Sequence, residues 1–357
     1  MKSSFMVPGI LRSKWLFHLG VTGAFIGVVL WRVDIAGALG PLADANYLWV
    51  PPALLLFSLA KFIDAARWQV LLAKVRVLPL SSLFGAFLVG NVVNNLLPLR
   101  AGDIAKIQIL ANRFGVSRAG LTASVFAVEA VLDGVTFLVF LLLGLALWEG
   151  TDVPAFLLWG LASIAVLGLV LTLVASRLQL PADLSTRPWA RFLPARVRGG
   201  IGDIWPQFRD GLAAMRDSRL ALKALALSFP AWLVEAAMFW MFGLAFGLDL
   251  SFGSYMAIMI AANLAVMLPL ALWNIGPYEV VLLELLVAWG VERDLAFAYA
   301  LATHVLTNLW IVATGLLAIW LMRVSLSDVF TLRTPPAPAE ASRADATTSP
   351  VLTQSYE

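Results

Sequence analysis

The chain reads as long apolar runs divided by short polar ones, and run length is the first discriminant. A hydrocarbon core of about 30 Å is crossed by roughly 20 apolar residues in helical form. Six runs reach that length: Trp15 to Trp31, Leu48 to Leu72, Leu121 to Trp148, Ala155 to Val174, Leu220 to Phe246 and Leu295 to Met322. Two others break partway. Leu80 to Leu97 meets Pro98-Leu99-Arg100-Ala101-Gly102, and the polar helix that restarts at Asp103 ends near Asn112, too short to cross. Ser254 to Leu272 meets Trp273-Asn274-Ile275-Gly276-Pro277, and its second arm, Tyr278 to Trp289, is also too short. Each break predicts a re-entrant hairpin, because irregular backbone at membrane depth persists only when buried in protein or lining a wet cavity. The expected fold is an all-α polytopic membrane helix bundle, six spanning helices plus two re-entrant helical hairpins.

Composition agrees with the pattern. Hydrophobic residues are 61% and charged residues 13% of 357 positions, against about 45–50% and about 25% in soluble domains. The absence of cysteine excludes disulfides, thiolate metal ligands and cysteine nucleophiles, and His18 and His304 are the only histidines, so neither a metal nor another cofactor is expected. The basic pI does not imply nucleic acid, since the cations sit in short loops beside apolar spans. Lys2, Arg12 and Lys14 precede the first run as in a signal peptide, and Ala36-Gly37-Ala38 could be cleaved. The run exceeds a usual signal core, and Arg32 and Asp34 intervene, so a retained first span is expected, with Gly23 and Gly27 as a packing stripe.

Hairpins make no net crossing, so six spans put both termini on one side. Taking that side as cytoplasmic places 19 of the 25 Lys and Arg inside and only Arg32 and Arg293 outside, with Lys61, Arg67, Arg100 and Lys106 at membrane depth. A full crossing by the first hairpin would put the most basic loop, Arg177 to Arg219, outside, against the positive-inside rule. In that loop Ile201, Ile204, Trp205, Phe208, Leu212 and Met215 share a helical face, which suits an interfacial helix on an anionic leaflet and equally a connector packed on the bundle. The integral domain should close near residue 332, and 333–357, rich in Pro, Ala, Ser and Thr, should be disordered.

The two hairpin units, about 80–148 and 254–322, align at an offset of 175 residues. Gly115-Val116 then falls on Gly290-Val291, Glu129 on His304 and Asp133 on Asn308; upstream, a four-residue gap brings Pro98 onto Pro269. Three spans separate the hairpins, an odd number, so the repeat is expected to be inverted, the architecture by which many transporters form a midplane site from broken helices.

Ionisable residues at this depth cost at least about 2.5–3.5 kcal/mol each and should face an interior or an aqueous cavity. Lys61, Asp64 and Arg67 share one face of the second span, and Glu129 and Asp133 lie four apart in the third. They are candidate substrate contacts; the plainer reading is mutual neutralisation, with Glu129 and Asp133 paired to Arg100 or Lys106. At the first break Arg100 has a planar fork suited to phosphate, and Asp103 either caps the helix or meets ligand. Asn94 and Asn95 either satisfy broken backbone or meet substrate. Asn274, Tyr278 and Glu279 occupy the second break, Glu279 again as a dipole cap. His304 and Asn308 share a face, where a buried histidine bonded to a neighbour is the plainer reading than a proton relay.

The run Asn94-Asn95-Leu96-Leu97-Pro98-Leu99-Arg100-Ala101-Gly102-Asp103, then Gly115-Val116-Ser117 and Glu129-xxx-Asp133, resembles the membrane region of lysylphosphatidylglycerol synthases and related flippase-like proteins. Leu268-Pro269 through Ile275-Gly276-Pro277-Tyr278-Glu279 to Gly290-Val291 resembles that family's second signature, with Ala271-Leu272-Trp273-Asn274 standing where the family has a Pro-Gly-Gly run. The resemblance spans roughly residues 10 to 325 and implies lipid translocation, with no aminoacyl transferase domain following.

The expectation is a non-enzymatic lipid flippase of the inner membrane. A polar head group would enter a cavity between the hairpins while the acyl chains stay in the bilayer, Arg100 holding phosphate and Glu129 and Asp133 balancing or relaying charge. Its partner is a membrane phospholipid or lipid-linked substrate, with a second copy of the chain or a lipid-modifying enzyme as a protein partner. The alternative is an integral-membrane enzyme or accessory subunit acting on a lipid-linked intermediate; no H-E-x-x-H, G-x-S-x-G, P-loop or dinucleotide fingerprint supports it.

Overall fold

A computed structural model describes Gly23, Gly27 and residues 35–97, 101–147, 155–178, 204–267 and 274–325. Among these the secondary structure is helical, with no strand. In chain order the helices are α1 (Ile35–Asp44), α2 (Val50–Leu72), α3 (Leu80–Leu96), α4 (Ala101–Phe114), α5 (Arg118–Phe126), α6 (Asp133–Leu147), α7 (Ala155–Arg177), the short α8 (Ala213–Arg216), α9 (Ser218–Ala245), α10 (Phe252–Met267), α11 (Pro277–Ala288) and α12 (Arg293–Met322). Three described stretches are long and apolar enough to cross a membrane unaided: Tyr47–Leu72, Ser218–Ala245 and Arg293–Met322. The expected spans at 121–148 and 155–174 are also helical, the first as α5 and α6 joined by a π-helical turn, Ala127–Leu132. Of the expected first span only Gly23 and Gly27 are described, both helical; the tail after Ser325 lies outside the described residues.

Both predicted breaks are real helix ends. α3 stops at Leu96 and α4 begins at Ala101, two residues earlier than Asp103, while α10 stops at Met267 and α11 begins at Pro277. Pro277 at the first helical position costs no hydrogen bond there. α3 and α4 fold back on each other so tightly that a Cβ on Gly102 would lie 1.8 Å from the Gly90 carbonyl oxygen. Where lipid tails are as apolar as leucine, such small-residue contacts, rather than hydrophobic burial, hold helices together.

Two helices organise the rest. α2 and α9 run antiparallel along one another, tied by Lys61 to Glu235, Arg67 to Ser228 and, at one end, the Asn46 amide to the Ala245 carbonyl. One core cluster gathers around α3 and α4 with the C-terminal half of α2, α5, α8 and Ala224 of α9. The other gathers around α10 and α11 with the N-terminal half of α2, the rest of α9, the first half of α12, and Phe137 and Phe140 of α6. Packing is reciprocal: α3 lies against α12, and α10 lies against α6. The α3–α12 contact is antiparallel, with Gly85 facing Met322, Val92 facing Gly315 and Asn95 bonded to Asn308.

The two units also agree in local geometry. Gly115 and Gly290, an offset of 175 apart, both adopt positive φ, 63° and 85°, the left-handed step that ends a helix and favours glycine. Two residues later Ser117 and Glu292 each cap the following helix, accepting from the Gly120 amide and from the Asp294 and Leu295 amides. In the loop before α9, Leu212 and Met215 are buried, whereas Ile204 is exposed, so the C-terminal part of the amphipathic segment is a connector packed on the bundle.

Candidate functional site

Between the two core clusters lies a cavity of about 360 Å³, walled by α2, α3, α4, α5, α6, α9, α10, α11 and α12 and reached by both breaks. Its size falls within the roughly 300–1,000 Å³ of ligand pockets. Lys61, Asp64, Arg67, Asn94, Asn95, Asp103, Asp133, Asn274, Tyr278, His304 and Asn308 all line it. Residues as much as 247 positions apart, Lys61 and Asn308, thus meet in one chamber. Glu279 sits directly behind its wall. Arg100, at the first break, lies outside the described residues, and so does the side chain of Glu129, whose backbone falls in the π-helical turn. Single π turns occur often at functional sites, where the extra residue re-aims its neighbours.

α2 carries the densest chemistry. Lys61 Nζ lies 3.2 Å from Asp64 Oδ2 and 2.9 Å from Glu235 Oε2 of α9. Arg67, 2% exposed, pairs through Nη2 with Asp64 Oδ1 at 2.9 Å. Its Nη1 donates to Asp133 Oδ1 and, at 2.9 Å, to the Ser228 hydroxyl. Asp133 also accepts from the Trp232 indole at 2.9 Å, and Glu235 Oε1 accepts from the Asn263 amide at 2.8 Å. The spacing of three residues aligns Lys61, Asp64 and Arg67 on one helical face, but their neutralisation is shared with α6 and α9 rather than confined to α2. Asp133 was expected to pair with Arg100 or Lys106; Arg100 lies outside the described residues, and Arg67 is a cation partner of Asp133 that the expectation did not include. Lys106 instead pairs with Asp103 at 2.8 Å, one turn along α4, and lies over the Phe87 ring at 5.0 Å. A buried charge persists only when paired and hydrogen-bonded, and this network meets that condition.

Side chains stitch both breaks. Asn94 Oδ1 accepts from the Gly102 amide at 2.7 Å, satisfying one of the orphan donors of the α4 N-terminus. Asp103 in the first turn places negative charge at the positive end of that helix. At the second break Glu279 Oε2 accepts from the Gly276 amide at 2.7 Å, while Oε1 meets His304 Nδ1. The His304 ring stacks on Tyr278, centroids 4.3 Å apart, and Tyr278 donates to the Thr303 hydroxyl at 3.2 Å. Asn95 donates to Asn308 Oδ1 at 2.6 Å, joining the first hairpin to α12. Asn274 enters the cavity wall with left-handed backbone, φ 57°, a region asparagine tolerates better than most residues.

Glu235, Asn263, Asn91 and Thr307 line the same chamber but were not singled out from sequence. Glu235 was the most accessible of these, because a carboxylate inside an apolar run is itself a functional flag. The other three carry no such signal. Among the described residues no cluster of His, Cys, Asp and Glu suited to a metal ion occurs.

Comparison with known proteins matches the assembled features. The model of the lysylphosphatidylglycerol synthase transmembrane region matches residues 15–315, which contains every cavity residue named above. A protein described as a UPF0104 membrane protein, from Methanothermobacter thermautotrophicus, is 24% identical over 337 residues, 87% of this chain and 98% of that one. No solved structure matches the chain. This chain is a membrane protein and belongs to the family of the lysylphosphatidylglycerol synthase transmembrane region.

Proposed function

We propose that the protein is a lipid translocase of the inner membrane that passes a polar head group through the central cavity while the acyl chains remain in the bilayer. The observation that carries this reading is a chamber lined with carboxylates, cations and amides inside a bundle whose outer faces are apolar, with a broken helix at each of two edges. Charges at such depth are retained where they serve a pathway.

The two hairpins are re-entrant, entering from opposite faces. Helices of 14 and 12 residues, α4 and α11, reach only about 21 and 18 Å at 1.5 Å per residue, short of the roughly 30 Å apolar layer. The reciprocal packing of α3 on α12 and α10 on α6, together with the shared offset of the glycine turns and helix caps, supports an inverted repeat of two units. Six spans then leave both termini cytoplasmic. Rocking of one unit against the other alternates access, Arg100 takes lipid phosphate at the first break, and Glu129 and Asp133 balance charge as the head group passes.

Purified protein in vesicles holding tail-fluorescent phospholipids tests the proposal. A membrane-impermeant reductant is expected to bleach beyond the outer leaflet in proteoliposomes but to stop near half in protein-free vesicles. Bleaching that stops near half in both, or an Arg100→Ala variant as fast as the parent, removes the reading.

A further inference from the structure

We propose that the head group admitted to this cavity is an uncharged polyol, of glycosyl or inositol type. The inference rests on the transport reading above and names the substrate class. Its ground is the difference between the charged and neutral groups of the wall. Each cation described there already holds a carboxylate: Lys61 holds Asp64 and Glu235, Arg67 holds Asp64 and Asp133, and Lys106 holds Asp103. The carboxylates are further bonded to Trp232 and Asn263. A phosphate or ammonium brought among them must compete with the partner that each charged group already holds.

The neutral groups are in the opposite condition. Among the described residues the side-chain amides of Asn91 and Asn274 have no hydrogen-bond partner, and the Thr307 hydroxyl is buried without one. Asn94 uses only its oxygen and Asn263 only its nitrogen, each leaving the other half of its amide toward the chamber. A hydroxyl both donates and accepts, so a ring bearing several of them satisfies such half-used amides without disturbing an ion pair. A site built to bond hydroxyls discriminates strongly against head groups that lack them. A phosphate carried by the same lipid is left to Arg100, the residue proposed above to take it.

Proteoliposomes carrying tail-labelled glucosyldiacylglycerol, phosphatidylinositol or phosphatidylethanolamine separate the cases. Both polyol lipids are expected to cross at least about tenfold faster than phosphatidylethanolamine, and Asn91→Leu, Asn274→Leu and Thr307→Val each to slow them about tenfold, the worth of one neutral hydrogen bond. Arg100→Ala slows phosphatidylinositol and phosphatidylethanolamine but leaves glucosyldiacylglycerol unchanged, which distinguishes phosphate capture from polyol recognition. Phosphatidylethanolamine crossing as fast as the polyol lipids, with the three variants unchanged, overturns the head-group class and leaves translocation standing. Where no lipid crosses, native mass spectrometry of the detergent-solubilised protein decides: selective retention of glucosyldiacylglycerol over phosphatidylethanolamine upholds the class while transport fails, and equal retention removes both. Folding of each variant is checked by its thermal midpoint in detergent.

Discussion

Lys61 and Glu235 form one of the ties between the two central helices, and breaking it from either side leaves a buried charge short of a partner. Glu235→Ala and Lys61→Met are each expected to cost about 3–5 kcal/mol, read as a lowered thermal midpoint in detergent. The double variant Lys61→Met/Glu235→Ala removes both charges and should cost less than the two losses together by about 0.5–3 kcal/mol. Additive losses would show that the two side chains do not act on each other. Asp217, outside the spans, offers a pH test. It caps α9 by accepting from the Arg219 and Leu220 amides, and its hydrogen bond to Lys74 holds its carboxyl below the ordinary value of 3.8. A depressed carboxylate contributes stability that is complete above its ordinary value and is lost as pH falls below it. Amide exchange at Arg219 and Leu220 is expected to accelerate over that acid window, and Asp217→Asn to abolish the dependence. At this scale the sequence identified the ionisable residues at depth, because apolar runs make each charge conspicuous. It did not reveal which partners they take, since Arg67 and Asp133 meet only because α9 packs on both α2 and α6.

The helices themselves were legible because their ends are written in residues that cannot continue them: Pro98 at one break, Gly276 and Pro277 at the other. The π-helical turn at Ala127–Leu132 was not, since nothing in Ala-Val-Glu-Ala-Val-Leu departs from ordinary helical composition. It alters the register between Glu129 and Asp133, which a uniform helix would place on one face. The back-to-back packing of α3 and α4 yields a direct test. Gly102→Leu drives a side chain into the Gly90 backbone and should destabilise the protein by about 1–3 kcal/mol or more. Gly40→Ala, in α1 with open space around the added carbon, should leave the midpoint unchanged or slightly raised. Equal behaviour of the two variants would refute the close approach.

For the whole molecule, the topology can be read with introduced thiols, because the chain contains no cysteine to obscure them. Under the proposed arrangement Ser185→Cys and Ser342→Cys react with an impermeant maleimide only from the cytoplasmic face, and Val291→Cys only from the other. Labelling of Ser185→Cys and Ser342→Cys from different faces would invert one hairpin and dismantle the proposed repeat. The proposed repeat has its sequence signal in Gly115 and Gly290. α2 and α9, which precede the two breaks and pack on one another, share too little sequence to align.

The charge balance of the ionic network has an electrical consequence. Moving one elementary charge through a membrane potential of 100 mV is worth about 2.3 kcal/mol. In the described network three cations, Lys61, Arg67 and Lys106, hold four carboxylates, Asp64, Asp133, Glu235 and Asp103, so a rocking unit that carried all of them would move one net negative charge. Turnover of an uncharged lipid should accordingly differ between vesicles clamped at opposite voltages with a potassium ionophore, and equal rates at both would show that the network stays in place as the head group passes.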